Sequence, residues 1–136
     1  MNSVETRIRV RYAETDQMGI VYHANYIVWM EVGRVELCRA LGIRYRDLER
    51  EGVLLTVVEV QCRYTQPARY DEEIAIRTSI AEANPRMVRF RYYLSEVESG
   101  REVATGETKH VFCNRSGKPC KLPEEYRAAF GILPKA

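Results

Sequence analysis

Asn25-Tyr-Ile-Val-Trp-Met30-Glu-Val-Gly-Arg34-Val-Glu-Leu-Cys38-Arg-Ala-Leu41 reads as a helix that is apolar around most of its circumference. Tyr26, Ile27, Val28, Trp29, Met30, Val32, Val35, Leu37, Ala40 and Leu41 leave no broad polar face, so the spacing predicts a helix buried on several sides. Asn25 is placed to cap its start and Gly42 to stop it. A helix of this kind needs something to wrap around it, and the rest of the chain supplies β-structure.

On the N-terminal side, Val4 to Tyr12 alternates, with Ile8, Val10 and Tyr12 on one face and Arg7, Arg9 and Arg11 on the other. This is the pattern of a half-buried strand with a basic outer face. On the C-terminal side, a short polar helix or turn near Tyr45 to Glu51 ends at Gly52. Val53 to Tyr64 then alternates in its later half, with Val58, Val60, Cys62 and Tyr64 against Glu59, Gln61 and Arg63. Glu73 to Ala83 puts Ile74, Ile76, Thr78 and Ile80 on one face. Asn84-Pro85-Arg86 is a turn, and Met87 to Val97 sets Val88, Phe90, Tyr92 and Leu94 against Arg89, Arg91, Tyr93 and Ser95. Glu98 to Arg101 reads as a hairpin turn, Glu102 to Cys113 as a strand, and Pro123 to Phe130 as a short helix opened by proline. Strand, long helix and four strands joined by short turns specify an α+β fold. One antiparallel sheet must curl over the central helix to hide its apolar surface. No repeat, linker or second domain interrupts residues 1–136.

The chain has 136 residues and a formal net charge of +2, so no clustered basic excess points to a nucleic-acid partner. The polar start Met1-Asn2-Ser3-Val4-Glu5 has no apolar signal region, and the apolar stretch around Trp29 is broken by Glu31, Gly33 and Arg34, which argues against a membrane span. Cys38, Cys62, Cys113 and Cys120 form no C-x-x-C pair and have no histidine at ligand spacing. They read as free thiols of a cytoplasmic protein, with no metal site.

Between the first strand and the long helix lies Tyr12-Ala-Glu-Thr-Asp16-Gln-Met-Gly19-Ile-Val-Tyr-His23-Ala-Asn25-Tyr26. It combines a carboxylate, a glycine turn, a histidine and a helix start whose free N–H groups can hold a developing oxyanion. Acyl transfer requires this set. The stretch resembles the active-site signature of the hotdog-fold acyl-CoA thioesterases of the 4-hydroxybenzoyl-CoA thioesterase type, and is closest to the short bacterial members associated with the Tol-Pal system. The family pattern Asp-x-x-Gly-x-Val-x-x-x-Asn-Tyr is met by Asp16, Gly19, Val21, Asn25 and Tyr26. The resemblance extends over about Val4 to Phe130.

The resemblance implies hydrolysis of an acyl-CoA to a carboxylic acid and CoA, without metal or organic cofactor, in a homo-oligomer, dimer or tetramer, built by pairing hotdog units with sites at their interface. Asp16 would act as general base or as nucleophile. His23 would contribute its backbone N–H, its imidazole, or both, and Tyr12 would hydrogen-bond to Asp16 or to substrate unless it merely closes the core. Gly19 would permit the turn, with Val21, Tyr22, Asn25 and Tyr26 around the substrate. Glu31 matches a substrate-contacting carboxylate of the aromatic-acid enzymes, although its spacing also suits an ion pair with Arg34. Arg86 aligns with a basic phosphate-binding turn, which is richer in basic residues in those enzymes than Asn84 and Pro85 are here. Arg63 and Arg89 are weaker phosphate candidates, and His110 reads as structural. Two other readings compete: a non-catalytic acyl-binding or envelope-complex interaction protein, and a hotdog dehydratase or hydratase, for whose catalytic constellation the sequence has no sign.

Overall fold

The computed structural model describes residues 3–134, so the polar start at Met1 and Asn2 lies outside the described residues. Its strands are β1 (Ser3–Arg9), β2 (Leu54–Tyr64), β3 (Glu73–Asn84), β4 (Met87–Glu96) and β5 (Glu102–Cys113). They pair antiparallel throughout in the order β1-β3-β4-β5-β2. The helices are α1 (Ala24–Ala40), α2 (Tyr45–Arg50) and α3 (Glu124–Arg127), with short 3-10 turns at Tyr12–Glu14 and Ala128–Phe130. This is the hotdog arrangement, a sheet laid over one long helix.

The strand alternation holds best in the middle of the sheet. Ile74, Ile76, Thr78, Val88, Phe90, Tyr92 and Leu94 are buried, while Arg77, Arg91 and Tyr93 face solvent. Bulges between Val57 and Glu59, Ile80 and Glu82, and Leu94 and Ser95 add local twist, which helps the sheet bend over α1. β1 stops at Arg9. Val10 is buried, but Tyr12 lies in the 3-10 turn and is 78% exposed, so it does not close the core.

The sheet covers only one stripe of α1: Tyr26, Trp29, Met30, Gly33, Arg34, Leu37 and Cys38 are buried, at helical spacing. Burial on several sides is therefore not reached within one chain. Ile27 and Val28 remain exposed, as do Val57, Val58, Val60 and Tyr64 on the edge strand β2. Where α1 is buried it lies very close to the sheet. A Cβ on Gly33 would collide with Thr78 Oγ1 and Ile76 Cγ2, and one on Gly106 of β5 would collide with Met30. The stop after α1 is as expected, with Gly42 at φ +83°.

Arg34 is the unexpected member of the buried stripe. The anticipated Glu31–Arg34 pair is absent among the described residues: Glu31 is exposed, whereas Arg34 lies inward. Its Nε has no hydrogen-bond partner there. Its charge acts instead on Cys38, Tyr45, Tyr92 and His110. Within this polar island the Thr108 hydroxyl joins Tyr92 Oη at 2.6 Å and His110 Nε2 at 2.8 Å. Burial, reinforced by Arg34 and opposed by the backbone of Leu55, pushes the His110 imidazole down to about 4. Its structural reading stands. All four cysteines are free, with Cys38 and Cys113 buried.

Candidate active site

The segment from Arg11 to Tyr22 folds as a small closed loop. The Thr15 hydroxyl donates to Tyr12 O at 2.7 Å, and Thr15 bridges Val21. The Asp16 amide donates to Ile20 O at 2.8 Å, and the Gly19 amide returns to Asp16 O at 3.0 Å, with Gly19 at φ +78°. A residue with a Cβ would be strained there, which gives Gly19 the turning role that the motif implied. Asp16 Oδ1 accepts the Met18 amide at 2.8 Å, so one carboxylate oxygen also holds the turn.

A cavity of about 580 Å³ opens over this loop, lined by Tyr12, Thr15, Asp16, Gln17, Gly19 and Tyr70. It contains Tyr12, Asp16 and Gly19 of the expected residues. Tyr70, from the segment before β3, closes the opposite wall, its ring centroid 5.7 Å from that of Tyr12. It is followed by Asp71 at φ +67°, an uncommon backbone for a non-glycine residue. Asp71 is held there by Arg9 Nη1 donating to its carbonyl at 2.7 Å and by its own amide donating to Val10 O.

The helix start lies next to the loop. The amide of Asn25 donates to Tyr22 O and that of Tyr26 to His23 O. The amides of His23 and Ala24 donate to no backbone carbonyl among the described residues. Asn25 does not cap the helix. The helix begins one residue earlier, and the Asn25 side chain donates to Glu14 O at 2.8 Å, tying α1 to the loop. His23 is exposed and lies outside the Asp16 cavity. Its ring rests 4.5 Å from that of Tyr22 and edge-on to Tyr64, whose hydroxyl donates to His23 O at 3.0 Å. Burial, with Cys62 adding to it, pushes the Tyr64 hydroxyl up to about 12, so it stays a donor at neutral pH.

The remaining expected residues are dispersed. Val21 belongs to the core, with its amide on Ala68 O at 2.8 Å. Tyr26 is also buried. Its hydroxyl accepts the Ala68 amide at 3.1 Å, and its ring meets those of Trp29 and Tyr64. Tyr22 is exposed, and Glu31 faces solvent further along α1. Arg86 sits in the β3–β4 turn, at the far end of the sheet. The near end of β3, at Glu73, pairs with Arg9 beside the motif loop. β3 has 12 residues; at about 3.3 Å each its ends stand roughly 36 Å apart, so Arg86 and Asp16 of one chain do not share a site.

Three side chains missed in the sequence take part in this architecture: Glu14, Tyr64 and Tyr70. Glu14 is buried, and Trp29 Nε1 and the Arg11 amide each donate to its carboxylate at 2.8 Å. Burial alone would raise its carboxyl, but these donors and the Arg11 guanidinium outweigh it and hold the group below its ordinary value. Behind the loop, Arg101 joins Glu72 at 2.8 Å, Glu96 at 3.0 Å and Pro67 O at 3.1 Å. That network fixes the Pro67–Tyr70 segment, which carries both the Ala68 anchor and the Tyr70 wall.

The sequence profile of the thioesterase-like superfamily matches residues 10–130. The chain belongs to that family. It is 40% identical over 130 residues to the putative acyl-CoA thioesterase YneP of Bacillus subtilis, covering 96% of this chain and 91% of YneP. It is 30% identical to the acyl-CoA thioesterase YbgC of Haemophilus influenzae, covering 97% of each. Among solved structures, the DHNA-CoA thioesterase of Staphylococcus aureus superposes with a TM-score of 0.92 at 30% identity, covering 96% of this chain and 90% of that one. The family match includes the motif loop, the start of α1 and the Tyr70 wall, so the site described here lies inside the shared region.

Proposed function

We propose that the chain is an acyl-CoA thioesterase that hydrolyses the thioester of an acyl-CoA to a free carboxylic acid and CoA. The observation that carries this reading is the Asp16 carboxylate lining a cavity on a loop stitched to a helix start with free amides. Family membership and the named relatives support the same chemistry. The Asp16 carboxylate either takes a proton from water as that water attacks the carbonyl carbon, or attacks it directly to give a mixed anhydride that water then opens. In both routes negative charge develops on the thioester oxygen, and the His23 and Ala24 amides are the donors assigned to it. The CoA thiolate leaves and is protonated. Tyr12 is assigned to hydrogen bonding at the same cavity, and the His23 imidazole, which lies outside that cavity in one chain, to acid–base work. The route uses no metal or organic cofactor, since CoA is part of the substrate.

Within the family we place the chain with the short Tol-Pal-associated members, on its Tyr12, Asp16 and His23. We take residues 1–136 as one hotdog unit, acting in the cytoplasm. No helix among the described residues is long and apolar enough to cross a membrane. We assign the functional form to a dimer or tetramer of this chain. The support is the unpaired outer edge of β2, where Val57, Val58, Val60 and Tyr64 are exposed beside Ile27 and Val28 of α1. Such pairing also gives Arg86 a route to a site it cannot reach in its own chain. Thiol release from a panel of short-chain, long-chain and aromatic acyl-CoAs tests the reading. Turnover of at least one at a rate proportional to enzyme supports it, and no turnover on any favours a non-catalytic acyl-binding protein.

A further inference from the structure

Glu14 accepts hydrogen bonds from three separate stretches of chain. Its side-chain oxygens take the Arg11 amide at 2.8 Å and the Trp29 indole at 2.8 Å, with the Arg11 guanidinium 3.5 Å away. Its carbonyl takes the Tyr22 amide at 2.8 Å and the Asn25 side-chain amide at 2.8 Å. Arg11 enters the loop, Tyr22 leaves it, and Asn25 and Trp29 belong to the first two turns of α1. Asp16 is two residues from Glu14, and the free amides of His23 and Ala24 lie between its Tyr22 and Asn25 partners. Glu14 therefore ties the loop that carries the carboxylate directly to the helix that carries the amides, although it is neither of them. A buried carboxylate would be costly if left without donors, yet both oxygens here are matched, so the side chain has one stable arrangement.

We infer that Glu14, locked by Trp29, is the positioning residue of the site: it sets Asp16 against the α1 amides without touching substrate. The inference rests on the thioesterase reading for its kinetic consequence, but not for its structural one. Glu14→Gln keeps the size of the side chain, but its amide can accept only one of the two donors and turns an N–H toward the other. The loop should then relax relative to the helix. Misplacement on the scale of 1 Å lowers turnover by about 10²-fold, so kcat should fall about 10- to 100-fold with KM changed less than about threefold. Trp29→Phe removes the indole donor and should lower kcat in the same way. The double variant should fall no further than the worse single one, because both remove the same link.

Trp29 is the only tryptophan in the chain, so emission excited selectively from tryptophan comes from this site alone. In wild type it should shift as Glu14 is protonated, and in Glu14→Gln that titration should vanish. Amide exchange at Tyr22 and at the Asp16–Ile20 turn should quicken in either variant, with the C-terminal half of α1 unchanged. Folded variants with wild-type kcat and unchanged loop exchange overturn the inference, as does a lowered melting temperature with kcat intact. If Glu14→Gln does not fold, Trp29→Phe decides by the same two readouts. A wild type that turns over no thioester refutes the thioesterase reading alone, and loop exchange then still decides for or against Glu14.

Discussion

Lowering the pH from 7 toward 4 should destabilise the fold through one residue, His110. It is fully buried on β5, bonded to Thr108 and close enough to the buried Arg34 guanidinium to be acted on by its charge. Its imidazole is pushed from 6.5 down to about 4, first by burial and then by Arg34. Between those values the unfolded chain binds a proton that the folded chain refuses. Stability is therefore complete above 6.5, declines as pH falls, and levels off below the folded value. The shift corresponds to about 3 kcal/mol over the full window, or roughly 10 °C of melting temperature for a domain of this size. The carboxyls of Glu14 and Glu96 act in a separate, lower range. Both are held below their ordinary value, Glu96 by the Ser99 and Glu98 donors, so what they contribute is present above 4.5 and is lost as pH falls through their folded values. Urea unfolding of wild type and His110→Gln at several pH values from 7 to 4.5 isolates the term. The difference between the two proteins should narrow or reverse as pH falls. A difference that stays constant across that range would refute the assignment of a neutral buried histidine.

Three further outcomes follow from the packing and the site. Gly33→Ala should cost about 1–3 kcal/mol by overpacking against Thr78 and Ile76, less up to about 1 kcal/mol of helix propensity gained; a melting temperature at or above wild type would show that α1 can move away from the sheet. Val58→Asp on the β2 edge should give monomers by light scattering and cut turnover, whereas an unchanged oligomer would place the interface elsewhere. His23→Ala keeps the backbone donor, so the pH–rate profile divides its two roles. Loss of a limb near neutrality assigns acid–base work to the imidazole, and superimposable profiles with similar rates leave only the amide.

Local pattern carried much of this structure. The alternation of β3 and β4, the stop at Gly42 and the Gly19 turn all depend on neighbours a few residues apart, and the sequence shows those directly. Contacts across the fold were illegible. Asn25 has the chemistry of an N-cap, but its side chain is engaged by a carbonyl 11 residues earlier. Tyr12 continues the alternation of β1, yet the chain turns into the 3-10 helix at Tyr12 itself, leaving it in the cavity wall. Tyr70 and Tyr64 reach the motif only through the antiparallel pairing that brings distant segments together. Arg86 shows the converse. Motif alignment places it with the substrate, while sheet geometry puts it at the opposite end of the same chain. Glu14 lay in plain view within the motif, but nothing local distinguishes a buried acceptor of four hydrogen bonds from a solvated loop carboxylate.

Asp16 is the residue proposed to perform the chemistry at the mouth of α1. The direct test is kcat of Asp16→Asn against wild type on the best acyl-CoA, with folding checked by circular dichroism. Asparagine can still accept the Met18 amide, so the turn should survive while the basic oxygen is lost. The expected result is a folded protein with kcat lower by about 10²–10⁴. A folded Asp16→Asn that turns over at the wild-type rate would remove Asp16 from the chemistry.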